Sequence, residues 1–169
     1  MKEVAKLLEE LKASGVIRDY ALFGAVAQMR YTEPVATLDA DVLVLLSEDA
    51  GLDILAPIYK FCRKRGHVAE GEAIRVGNWP VQFIPTFSPL TEEAVCEAET
   101  GEIDGIPVRV ISAGHLAAIA LSVGRSKDHL RIIALIEAGV VHEEGLQKLA
   151  VRHKLTDQWV VFKRRFINV

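Results

Sequence analysis

Strand and helix patterns alternate along the chain as far as Ile111, and beyond Ser112 only helical periods remain. That switch restricts the fold more than any other feature. Interleaved elements demand a sheet covered by helices, and the helix-only remainder must pack upon it. Val4, Leu7, Leu8 and Leu11 recur at helical spacing until Gly15, predicting a helix over 2–14. Tyr20 to Phe23 is a short apolar run ending at Gly24, as expected of a buried strand, and Ala25 to Met29 favours helix. Leu38 to Leu46 is apolar on both faces apart from two aspartates, the pattern of a central strand. Leu52, Leu55, Ile58, Tyr59 and Cys62 give an amphipathic helix closed by Gly66. Residues 73–76 and 81–84 flank a turn-rich quartet, residues 91–98 are helical in composition, and Asp104-Gly105 signals a hairpin between Ile103 and 106–111.

Four helices are expected after that, over 113–123 with Ser112 as N-cap, over 127–138 with Ser126 as N-cap, near 142–153, and over 156–166. The expected fold class is therefore α/β (α+β): residues 1–111 form the α/β core, and residues 112–169 form a helical tail sharing its interior. Half of the 169 residues are hydrophobic, enough for a sizeable core. Twenty basic residues stand against 23 acidic ones for a net charge of -3, which argues against a broad basic face for nucleic acid. It leaves room for a small anion held by a few local cations. No apolar run reaches the length of a membrane span, and the opening Met1-Lys2-Glu3-Val4 lacks a signal pattern. Cys62 and Cys96 read as reduced packing residues, so the expected compartment is the cytoplasm. Trp79 is expected to shape a turn and Trp159 to pack the last helix. His115 and the other histidines have no partner at metal-ligand spacing and receive no role.

The chemistry concentrates at Phe23-Gly24-Ala25, followed after thirteen residues by Asp39-Ala40-Asp41-Val42. Residues i and i+2 of a strand point to one side, which brings the two carboxylates together with α-carbons about 6.5 Å apart. Two unit charges near that separation repel by about 3 kcal/mol at an effective dielectric of about 20. A cation between them relieves the repulsion. Mg²⁺ (or Mn²⁺) suits the position, since it accepts one or two carboxylates and completes its shell with water and phosphate oxygens. Gly24, ending a strand and opening a helix, offers backbone N–H groups to a phosphate.

This arrangement, a strand running through glycine into a helix with Asp-x-Asp on the next strand, resembles the DNA-polymerase-β-like nucleotidyltransferase superfamily. Tyr31-Thr32-Glu33-Pro34, Thr37-Leu38-Asp39-Ala40-Asp41 and the later Gly124-Arg125-Ser126-Lys127-Asp128 are similar to small bacterial members related to abortive-infection toxins. The resemblance implies a nucleotidyltransferase-like mixed sheet flanked by helices. It implies Asp39 and Asp41 as catalytic metal ligands, Gly24 and Ala25 as a phosphate cradle, and Arg125 and Lys127 as further phosphate contacts. Two positions depart from the family's pattern. Ala25 stands where a glycine or serine is usual. Gln82 stands where active members carry a third carboxylate, and an amide neither takes a proton at neutral pH nor neutralises a cation.

Three functional readings follow. The first is Mg²⁺-dependent transfer of a nucleoside monophosphate from a nucleoside triphosphate to an unknown acceptor, be it a small molecule, a protein or tRNA. The second is a catalytically impaired nucleotide- or metal-binding module that works through a protein partner. The third is the toxin of a toxin–antitoxin pair. None involves a membrane, and all leave room for a homo-oligomer.

Overall fold

A computed structural model describes residues 1–46 and 53–168. The chain opens with α1 (Lys2–Ala13), β1 (Asp19–Phe23), the short α2 (Gly24–Gln28) and β2 (Ala40–Leu45). Then come α3 (Ala56–Lys64), β3 (Val68–Glu70), β4 (Ala73–Val76), β5 (Trp79–Pro85) and α4 (Pro89–Cys96). The hairpin β6 (Glu99–Ile103) and β7 (Ile106–Val110) leads into α5 (Ala113–Val123), α6 (Ser126–Glu137), α7 (Glu143–Arg152) and α8 (Thr156–Phe166). Among the described residues no helix is long and apolar enough to cross a membrane.

The strands form one mixed sheet in the order β3-β4-β5-β2-β1-β7-β6. β2 lies at its centre, antiparallel to β1 and parallel to β5. Central position explains the burial of Val42, Leu43 and Val44, each at most 2% exposed. The register sets Phe23 opposite Asp41 on one side and Gln82 beside Asp41 on the other. Neighbours in register share a face of the sheet, so Phe23, Asp41 and Gln82 are directed alike. At the far edge, Asp104 and Gly105 both take positive φ, 51° and 79°, as a two-residue hairpin turn requires.

α5 is buried along most of its length, with Leu116, Ala117 and Ala118 fully enclosed. It packs against α2, α4, α6, α7 and α8, so the helical part is continuous with the sheet's core. Trp159 is buried at 2% exposure.

Three local expectations are corrected. β2 begins at Ala40, which leaves Asp39 in the preceding bend, exposed, with Thr37 Oγ1 donating to its carboxylate. The N-cap of α6 is Arg125, one residue earlier than Ser126. Its backbone N–H donates to the Asp128 carboxylate at 3.2 Å, a side-chain acceptor that Ser126 does not provide. β3 is an additional strand, three exposed residues with no apolar alternation to announce it. Leu52, expected in the helix that became α3, lies outside the described residues.

Candidate active site

Gly24 holds φ at +63°, and a Cβ placed on it would stand 2.3 Å from Asp41 Oδ2. A side chain at position 24 therefore collides with the carboxylate while straining the backbone. The glycine lets the turn from β1 into α2 close down directly on Asp41. α2 itself is only five residues long, so its dipole is small. The free N–H groups of its first turn are the larger asset.

Asp41 is half-buried, and its pKa is raised from the usual carboxylate value, first by burial and then by the charge of Asp39. The positive charges of Arg131, Lys127 and Arg125 act in the opposite direction. The two aspartates thus sense one another, and three cations from α6 and its N-cap bear on the same carboxylate. The structure brings Gly24, Asp39, Asp41, Arg125 and Lys127 into one neighbourhood, with Ala25 half-buried at the start of α2.

The cations are held in different ways. Arg125 is mostly exposed and donates through Nε to Asp128 at 2.7 Å. Asp128 is 1% exposed. Burial alone would raise its pKa, but the hydrogen bond and charge of Arg125, with Arg131 behind, hold it below the ordinary value. Lys127 is exposed in the first turn of α6. Arg131 has a side chain only 13% exposed, pinned by Nε donation to Gln28 Oε1 at 2.9 Å and by Asp128 Oδ1 at 3.5 Å. Gln28 ends α2 and is itself buried. One guanidinium therefore joins α6 to the helix that begins at Gly24, and its charge reaches Asp41.

Arg131 was not foreseen as a site residue. Its helical spacing from Lys127 and Asp128 is visible in sequence, but its link to Gln28 spans 103 positions. Nor was the partnership of His115, whose Nε2 lies 3.2 Å from Glu93 Oε1 and 3.9 Å from Glu97 Oε2. His115, given no role because no partner stands at metal-ligand spacing in the sequence, gains these partners through the packing of α5 on α4.

The donors near Asp41 suit a single divalent ion. Two carboxylates flank one residue, an amide stands level with Asp41 on the neighbouring strand, and burial together with the charge of Asp39 disfavours the bare Asp41 carboxylate, which a cation would relieve. A second ion would lack an anionic anchor at Gln82.

No family model matches the chain, and no curated protein matches its sequence. Solved structures do match. The solution structure of the antibiotic-resistance factor ANT(2'')-Ia superposes with a TM-score of 0.55 at 14% identity, covering 99% of this chain and 97% of that one. The crystal structure of an antigenic nucleotidyltransferase-like protein from Paracoccidioides brasiliensis gives a TM-score of 0.56 at 16% identity, over 95% of this chain and 90% of that one. The chain has the nucleotidyltransferase fold, with a mixed sheet flanked by helices and helices at its C-terminal end. At the level of the fold, the resemblance read from residues 23–42 and from the later 124–128 stretch holds.

Proposed function

We propose that the chain is a nucleotidyltransferase that moves a nucleoside monophosphate from a nucleoside triphosphate to an acceptor hydroxyl. The observation that carries this reading is the close approach of Gly24 to Asp41, whose carboxylate feels the charges of Arg131, Lys127 and Arg125. It joins a carboxylate pair for a cation to basic groups for a polyphosphate on one patch of surface.

Asp39 and Asp41 would hold Mg²⁺ or Mn²⁺, which neutralises charge developing on the phosphate oxygens when bound. Lys127 and Arg125 are free enough in solvent to close on the triphosphate, and the Gly24 and Ala25 N–H groups meet it from the side of β1. Arg131 is too enclosed to follow a substrate, so it fixes α2 relative to α6 through Gln28 and bears on Asp41 by its charge alone. In the transfer, the acceptor oxygen bonds to the α-phosphorus, the bond to the bridging oxygen breaks, and pyrophosphate leaves. Gln82 cannot accept the acceptor's proton. Asp39, exposed at the mouth of the site, is the carboxylate best able to take it.

Each of the four triphosphates, radiolabelled at the α-phosphate, is incubated with Mg²⁺ or Mn²⁺ and cell extract as acceptor pool. Transfer by the wild type and a loss of at least 100-fold in Asp41→Asn is the expected result. No transfer by either protein, with triphosphate still bound, supports the alternative that Gln82 favours, a nucleotide-binding module acting through a protein partner.

A further inference from the structure

A second polar cluster lies at the opposite end of α5. His115 occupies the first turn of that helix and Gly124 caps its last, so about 13 Å of helix separates the cluster from the turn that carries Arg125. Three packed elements converge there. Glu93 and Glu97 come from α4 and its C-cap, His115 from α5, and His153 from the C-cap of α7.

We propose that Glu93, Glu97 and His115, with His153 beside them, form a site for a divalent transition-metal ion of the zinc type, separate from the aspartate pair. One ligand atom from each of the first three lies within 4.8 Å of the others. Tetrahedral zinc with bonds of about 2.0–2.1 Å sets its ligands about 3.3 Å apart. The separations of 3.2 Å to Glu93 Oε1 and 3.9 Å to Glu97 Oε2 from His115 Nε2 need only small side-chain rotations to meet that spacing.

The second support comes from His153. Its side chain is 7% exposed and its Nε2 lies 3.0 Å from Glu93 Oε2, yet that nitrogen has no aligned hydrogen-bond partner. A buried imidazole nitrogen directed at a carboxylate without a hydrogen bond suits a lone pair that meets a metal. His115 is prepared in the same way. Its Nδ1 lies 2.8 Å from Ser112 Oγ, so when Nε2 gives up its hydrogen bond to Glu93 and its proton, the tautomer that donates to Ser112 offers Nε2 to a metal.

Imidazole ligands select zinc, cobalt or nickel over magnesium, so the two sites would take different ions. Arg152 Nη1 occupies Glu93 Oε1 at 2.6 Å, but its side chain is 57% exposed and can swing into solvent as the metal's charge replaces it. An ion here would fasten α7 to α4 and α5, and through α5 would steady the turn into α6.

The test uses the full chain, stripped with chelator and titrated with Co²⁺, whose tetrahedral complexes absorb strongly in the visible. We expect one equivalent to give that band, Zn²⁺ to abolish it, and Zn²⁺ to raise the Tm of the stripped protein. Glu97→Gln alters an exposed side chain, so its folding is secure, and it should weaken Co²⁺ binding at least tenfold, as should His115→Gln. The Asp39→Asn/Asp41→Asn double variant should keep the band. The proposal is overturned if no band and no Tm rise appear, if Glu97→Gln binds as the wild type does, or if the band disappears in the double aspartate variant.

Discussion

Gly24 is the residue on which the geometry of the candidate site turns. With φ at +63° and Asp41 Oδ2 where its Cβ would fall, Gly24→Ala has to strain the backbone and displace the carboxylate together. The conformational part alone costs about 1–2 kcal/mol, and we expect a total loss of roughly 2 kcal/mol in urea denaturation. A neutral substitution would mean that the turn relaxes freely. Asp41 gives the opposite sign. Burial and Asp39 raise its pKa above 3.8, so the folded state holds that proton more tightly than the unfolded chain does. Its contribution to stability is greatest below 3.8 and is lost as pH rises through the folded pKa. In metal-free buffer, Asp41→Asn is expected to flatten the decline of Tm in that window without lowering Tm at neutral pH. A large loss of Tm would instead make the carboxylate a structural anchor. At this scale the aspartates and glycine were legible because their chemistry lies within one strand-turn-strand segment. Arg131 was not, since nothing local distinguishes it from a solvated helix arginine.

Helix α6 begins differently from its sequence. Ser126 is the better cap by type, yet the buried Asp128 reaches back to Arg125 and also holds its guanidinium. Asp128→Asn keeps the size and removes the charge that Arg125 and Arg131 share. A loss of about 2 kcal/mol is expected in urea denaturation, from a cap and charge-assisted hydrogen bonds. The sign with pH follows from the depressed pKa: this stability is present above the ordinary value of 3.8 and lost as pH falls through the lower folded value. The variant should also weaken triphosphate binding, because Arg125 loses its charged anchor while Arg131 keeps Gln28, and unchanged binding would separate the cap from the site. Elements with a local cause were legible, as in the Asp104-Gly105 hairpin, where the turn residues alone dictate positive φ. β3 was not legible, since three exposed residues pair with β4 only because the sheet offers an open edge there.

Across the whole molecule, the sheet and the later helices contribute to one buried core, with α5 running through it. Glu93 is one of its ties, meeting His115, His153 and Arg152. Burial works against its charge, but hydrogen bonds from His115 and Arg152 and the nearby charge of His153 bring its pKa down to about 2 from 4.5. That stabilisation is complete above 4.5 and disappears as pH falls toward 2. In chelator-treated protein, Glu93→Gln is expected to cost roughly 2 kcal/mol at pH about 7 and to lose less on acidification than the wild type, as followed by circular dichroism. The switch from mixed elements to helices at Ser112 was legible at this scale, since hydrophobic period reports element type. Which helix ends meet was not, because Glu93, His115 and His153 are neighbours only through packing. The central claim is that the aspartate pair and the cations of α6 together hold a metal–triphosphate, and calorimetric titration of a non-hydrolysable nucleoside triphosphate analogue with Mn²⁺ tests it directly. Binding that needs the metal, weakens at least tenfold in Asp41→Asn and in Lys127→Ala, and tightens in Gln82→Asp is the result expected. Equal affinity in the wild type and Asp41→Asn, or binding indifferent to Mn²⁺, would contradict it.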